Sequence, residues 1–107
     1  MFARINEFVV KPEKKDEYFK TVKNEVLPLL KKQTGFLEVL PFVPETKNEK
    51  FINITLWMEK KDAERYERDV FPKVEEILKP HLATPITWKL YTVETTMCKH
   101  FVEALAA

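Results

Sequence analysis

The spacing of hydrophobic positions along the chain changes several times, and each change marks an element. From Phe2 to Val10 apolar and polar side chains alternate among β-forming residues, which predicts a first strand. Pro12 and Glu13 follow, a proline and an acid suited to the first turn of a helix. Phe19, Val22, Val26, Leu29 and Leu30 then recur at helical spacing, and Lys31, Lys32 and Gly35 supply a basic last turn and a terminating glycine. Pro28 lies inside this run without an N–H to donate, so a kink or a separate short turn is expected there.

Alternation returns over Phe36 to Val43, a second strand ended by Pro44. Glu45 to Lys50 is a polar turn, and Phe51 to Met58 is a third strand. The short link makes strands two and three an antiparallel hairpin. Asp62 to Lys79 reads as a second amphipathic helix, with Ala63, Tyr66, Val70, Val74, Ile77 and Leu78 on one stripe and Pro80 closing it. Pro85 to Glu94 is a fourth strand. In the tail, Thr95 to Ala107, Met97, Phe101 and Leu105 are spaced for a short docking helix. The reading is one domain over residues 1–94 with a tail over 95–107.

The order is β-α-β-β-α-β, the ferredoxin-like α+β arrangement of a four-stranded antiparallel sheet with two helices on one face. Its first and third strands are the central pair. Strand side chains alternate between faces, so one face carries Ala3, Ile5, Glu7, Val9, Leu37, Val39, Ile52, Ile54, Leu56 and Met58. This largely aliphatic set is expected under the helices, where only Glu7 is out of place. The other face carries Phe2, Phe8, Phe36, Leu40, Phe42, Phe51 and Trp57, and is expected to be the open one. A bare aromatic face is costly, so a second copy of the chain stacked sheet to sheet is expected to cover it. Charged substitutions at Phe42 or Phe51 would then break the dimer.

Composition narrows the chemistry. The 107 residues carry 18 basic and 17 acidic side chains, a net charge of +1, and show no basic footprint for nucleic acid. One glycine rules out dinucleotide and P-loop glycine motifs. Cys98 is alone, so neither an intramolecular disulfide nor a cysteine-based zinc site can form. No run approaches the ~20 apolar residues that span a bilayer, and the N-terminus does not read as a signal peptide. A cytoplasmic setting is expected.

Arg4, Asn6, Asn53 and Thr55 fall near the middle of the sheet on the face of Phe8, Phe51 and Trp57. A few convergent polar groups within an apolar ring are the usual pattern of a small-molecule site. Each also has a structural alternative: Trp57 as core, Asn53 and Asn6 serving backbone, Arg4 solvated, Tyr66 on a core stripe.

Several short stretches, taken with the element order, resemble the antibiotic biosynthesis monooxygenase superfamily of dimeric α+β barrels. They are strand one running into Lys11-Pro12, Leu29 through Gly35-Phe36-Leu37, Thr55-Leu56-Trp57, and Lys61-Asp62-Ala63 opening the second helix. The resemblance implies a homodimer with one pocket per subunit between sheet and helices. It implies oxidation of a small phenol- or quinol-type aromatic by dioxygen without metal, flavin or other cofactor. Asn53 and Trp57 have the spacing of that branch's Asn and Trp, and Tyr66 stands one turn beyond the position of its Tyr. On this reading Asn53, Trp57 and Tyr66 are the catalytic candidates, and Arg4, Asn6, Phe8 and Phe51 bind the substrate. The alternative is a dimeric barrel that holds a small hydrophobic ligand without turnover. A haem-opening branch, which Asn6 would also suit, needs an axial His on the second helix. That helix has none, and Glu75 stands in its place.

Overall fold

The computed structural model describes residues 1–97, with the expected elements in the expected order. Strand β1 (Phe2–Phe8) passes through a 3-10 turn into helix α1 (Lys15–Thr21). A π-helical stretch, Val22–Val26, joins α1 to α2 (Leu27–Lys31). The hairpin of β2 (Phe36–Phe42) and β3 (Phe51–Trp57) follows, then α3 (Lys60–Asp69), α4 (Phe71–Leu78) and β4 (Thr87–Thr92). Thr95 and Thr96 lie in a turn; the helix expected over the tail falls on residues beyond Met97, outside the described part. Among the described residues no helix is long and apolar enough to cross a membrane.

Both amphipathic stretches are interrupted, and proline is the cause each time. Pro28 has no N–H for the carbonyl of Asn24, and the preceding Leu27 N–H bonds instead to Val22, one residue further back than in an α-helix. Pro72 likewise cannot bond to the carbonyl of Arg68, and Val70 leaves helical geometry at φ −121° and ψ −39°. The single helix expected from Asp62 to Lys79 is therefore two helices meeting at Val70.

The sheet is antiparallel in the order β2-β3-β1-β4, with β1 and β3 central as expected, and it is not closed. Across the central pair Arg4 faces Thr55, Asn6 faces Asn53 and Phe8 faces Phe51. Pro41 lies in β2, an edge strand, where a missing N–H is tolerated.

The two faces are the reverse of the expectation. Phe8, Phe51 and Trp57 belong to the core shared with Tyr18, Val26, Leu30, Tyr66, Phe71, Val74 and Leu78 of the helical layer. Arg4, Asn6 and Thr55 are buried with them. The open face carries Ile5, Ile52 and Ile54. The large rings fill the space between the sheet and its layer of broken helices, whereas the isoleucines lie on the outer surface. Glu7 is thereby explained: it lies on the open face, half exposed, with Lys50 Nζ at 3.4 Å. Strand β2 departs further, because a bulge between Phe36 and Glu38 inserts Leu37 and inverts the alternation beyond it. Val39 and Pro41 turn toward the helices, while Leu40 and Phe42 face outward. Phe42, 51% exposed, remains an open-face residue, but Phe51 is core.

Gly35 closes the turn after α2 at φ +81°, and its carbonyl accepts from the Met58 N–H at 2.8 Å. The buried Asp62 carboxylate lies against it where a Cβ would stand. Gly35→Ala should therefore lower stability by about 2 kcal/mol or more, combining a left-handed backbone with a clash. Urea unfolding checks this; a change below about 0.5 kcal/mol would show that the turn and Asp62 yield freely.

Candidate functional site

Between the buried face of the sheet and the helices lies a cavity of about 230 Å³. Its floor is the central strand pair: Asn6 and Phe8 from β1, and Phe51, Asn53 and Thr55 from β3. Val39 and Pro41 of β2 extend it, an arrangement that depends on the bulge. Tyr18 and Phe19 of α1, with Val22, Lys23 and Val26 of the π-helical stretch, form one wall. Tyr66 of α3 and Phe71, Val74 and Leu78 of α4 form the other. The widened turn before Pro28 and the break before Pro72 thus both lie in cavity walls. Lys23 is the one charged residue of the lining, and it is solvent-exposed.

The polar groups of the floor are incompletely used. Asn53 Nδ2 donates to the Tyr18 hydroxyl at 3.1 Å, but Asn53 Oδ1 is buried without a partner. Asn6 Oδ1 is also buried and unpartnered. Buried amides in folded proteins nearly always find partners, so these two adjacent acceptors leave hydrogen-bonding capacity open on the cavity floor. Tyr18 is held by edge contacts to Phe51 and Phe19 at ring separations of 5.5 and 5.4 Å. Burial pushes its phenol up to about 12, against a lowering by the Asn53 hydrogen bond. Burial also pushes Tyr66 to about 12, against the pull of Arg4. Both therefore hold their protons at neutral pH and do not serve as bases there.

Five of the seven sequence-predicted site residues line this cavity: Asn6, Phe8, Phe51, Asn53 and Tyr66. Trp57 and Arg4 do not; each stands behind a residue that does. Trp57 is fully buried, its indole N–H donating to Thr55 Oγ1 at 2.9 Å and its ring packed on Tyr66 at 4.9 Å. Arg4, 1% exposed, is caged by Phe71, Trp88 and Tyr66, whose ring centres lie 3.7, 4.3 and 5.5 Å from the guanidinium carbon. None of its three side-chain nitrogens has a hydrogen-bond partner. Burial pulls the guanidinium down to about 10, opposed by attraction from Tyr66, Glu67 and Glu75, so it stays cationic at neutral pH. Cation–π contacts of about 0.5–2 kcal/mol each offset part of that burial. The result is a fixed positive charge one ring away from the cavity, behind Tyr66 and Phe71.

Sequence reasoning missed Tyr18. Its signal is the strict four-residue spacing of Tyr18, Val22, Val26 and Leu30, obscured by the adjacent Phe19. Glu75, the residue in the place of an axial haem ligand, lines a separate groove with Pro72, Glu76, Lys79 and Leu82. The cavity lining holds no imidazole, thiol or thioether, its phenols Tyr18 and Tyr66 keep their protons at neutral pH, and α3 and α4 hold no His, so these residues do not fit haem. Among the described residues no three of His, Cys, Asp and Glu are grouped to hold a metal ion.

The sequence model of the family described as antibiotic biosynthesis monooxygenase matches residues 1–69, a stretch that contains all seven candidates and Tyr18. Solved structures share the fold. A mutant of SnoaB, a cofactor-independent oxygenase from Streptomyces nogalater, is 16% identical, covers 87% of this chain and 92% of its own, and superposes with a TM-score of 0.71. A monooxygenase from the gene ActVA-Orf6 of Streptomyces coelicolor, in complex with nanaomycin D, is 18% identical over 87% of each chain at a TM-score of 0.69. A conserved protein from Methanosarcina mazei Go1 is also 18% identical, over 87% of this chain and 92% of that one, at 0.70. Identities this low establish likeness of fold alone. Among curated proteins none matches.

The two raised phenols carry a pH signature. Their folded values near 12 lie above the ordinary 10.0, so the unfolded chain releases these protons first as pH rises. Their contribution to stability is complete below about pH 10 and is lost between about 10 and 12. Arg4 runs the other way, since its lowered value means that an unfavourable contribution is relieved above about pH 10. Comparing the wild type with Tyr18→Phe isolates one phenol. The variant should lose stability less steeply between pH about 9.5 and 11 in urea unfolding, and parallel curves would mean that Tyr18 ionises as an exposed phenol does.

Proposed function

Because the chain belongs to the antibiotic biosynthesis monooxygenase family, we propose that it oxidises a small phenol- or quinol-type aromatic with dioxygen and needs no metal or organic cofactor to do so. The observation that carries this reading is the pair of asparagines opposed across the central strands, with unfilled amide oxygens, on the floor of an otherwise apolar cavity. SnoaB, which shares the fold, is a cofactor-independent oxygenase, and this accords with the reading.

The apolar walls hold the ring, and the unfilled amide oxygens of Asn53 and Asn6 accept from its hydroxyl. No carboxylate or imidazole lines the cavity, and Tyr18 and Tyr66 keep their protons, so the phenolic proton leaves to water. The fixed charge of Arg4 behind the wall favours the anion that remains. That anion gives one electron to dioxygen, and the resulting radical pair combines to form a carbon–oxygen bond. The peroxide anion so formed regains a proton from solvent, and loss of water then leaves a quinone. Overall one phenol and one dioxygen give one quinone and one water. The protein's part is to stabilise charge and shield the reacting pair. Trp57 acts through others, fixing Thr55 by its hydrogen bond and Tyr66 by packing.

The second reading, a barrel that binds a small hydrophobic ligand without turnover, draws support from that lack of a general base. Oxygen uptake decides between the two. Over a panel of quinols and anthrone-like phenols, uptake should survive chelator, fall about 100-fold in kcat/KM for Asn53→Ala, and fall less for Trp57→Phe. No uptake above the spontaneous background would leave the binding reading in its place.

The partner is a second copy of the chain, stacked on the open sheet face. That face presents half-buried Ile5, Ile52, Ile54 and Leu40 beside exposed Phe42 along three adjacent strands, an apolar patch of the kind that marks an interface. Ile54→Glu lies at its centre and points away from the cavity. It should yield a smaller species in sedimentation analysis, whereas a wild type that sediments as a monomer would contradict the stacked dimer.

A further inference from the structure

The hydrogen-bonding capacity of Tyr18 and Asn53 does not close within the protein. A phenol carries one donor and accepts through its oxygen; an amide carries two donors on nitrogen and an acceptor oxygen. Asn53 Nδ2 donates to the Tyr18 oxygen, so the Tyr18 proton is directed elsewhere, and no described residue accepts it. Asn53 Oδ1 is buried beside it with no donor. Tyr18 is 2% exposed, and both residues line the cavity. An unfilled donor and an unfilled acceptor thus stand side by side in an apolar enclosure, and a hydroxyl group is their complement.

Given the cavity as the ligand site, we infer that Tyr18 and Asn53 form a clamp for a ligand hydroxyl, Tyr18 donating to its oxygen and Asn53 Oδ1 accepting its proton. The cavity volume narrows the class further. An engineered cavity of about 150 Å³ holds benzene, so about 230 Å³ suits one or two fused rings. The ligand is a one- or two-ring phenol that enters neutral. A site built around a hydroxyl discriminates against analogues lacking it, because its own buried groups are then left unpaired. Turning the Asn53 amide end for end would pass the Tyr18 proton to Oδ1 and leave only Nδ2 for the ligand. An ether would then bind as well as a hydroxyl, which makes the ether the decisive control.

The test is equilibrium dialysis of 2-naphthol, 2-methoxynaphthalene and naphthalene against the 107-residue chain and its Tyr18→Phe variant at neutral pH. In the wild type 2-naphthol should bind about tenfold or more tightly than either analogue. Tyr18→Phe should weaken 2-naphthol about tenfold and leave naphthalene unchanged. Equal binding of 2-naphthol and its methyl ether to the wild type overturns the clamp while the cavity reading stands. Equal weakening of all three by Tyr18→Phe also overturns it, making Tyr18 merely structural. If none of the three binds, the cavity reading fails and takes the clamp with it. Should Tyr18→Phe not fold, the wild-type contrast between hydroxyl and ether still decides.

Discussion

Antiparallel pairing of β1 with β3 sets Asn6 across from Asn53, Phe8 across from Phe51 and Arg4 across from Thr55. A slip of one residue in either strand would turn its members of these pairs to the opposite face. The large rings of the pairs make the correct register favourable, since Phe8 and Phe51 stack at 6.1 Å and both meet Tyr18. The polar members are carried along by that choice. Burying Arg4, Asn6 and Thr55 in the middle of a sheet costs free energy that hydrogen bonds within the protein only partly return. The unfilled amide oxygens of Asn6 and Asn53 line the cavity, and the proposed binding of a small aromatic would use them.

The helical layer explains why any space remains above them. A continuous pair of amphipathic helices would pack its ridges closely onto the sheet. Here Pro28 forces the turn before it to widen, and Pro72 divides the second stretch at Val70. The residues beside these breaks, Val22, Val26 and Phe71, are cavity walls. The interruptions are backbone events dictated by proline, and they hold the layer off the sheet without any side chain having to be small. Tyr18, Tyr66 and Phe71 then line the space that remains.

Much of the architecture was legible because it is local. Period changes, prolines and the single glycine mark the elements, and the antiparallel order with β1 and β3 central follows from the element order alone. The membership of each face was also legible in β1 and β3, where alternation is uninterrupted. Which face lies under the helices was not, because both are apolar and alternation carries no sign. The bulge at Leu37 defeated the same reasoning in β2, since one inserted residue inverts everything after it. At the site, Asn6 and Asn53 were readable as polar residues in an apolar context. Tyr18 was hidden because helical periodicity tolerates either Tyr18 or its neighbour Phe19. The withdrawal of Trp57 and Arg4 behind Thr55, Tyr66 and Phe71 depends on packing among distant segments, which no local pattern records.

Binding of a small aromatic in the cavity between sheet and helices is the premise on which the proposed function and the clamp both depend. Side-chain amide and methyl resonances recorded during a titration with 2-naphthol test this most directly. The account predicts that shifts concentrate on the Asn6 and Asn53 amides and on the methyl groups of Val26, Leu30, Val39, Val74 and Leu78. Shifts confined to Ile5, Ile52 and Ile54 on the open face, or to the groove beside Glu75, would contradict it.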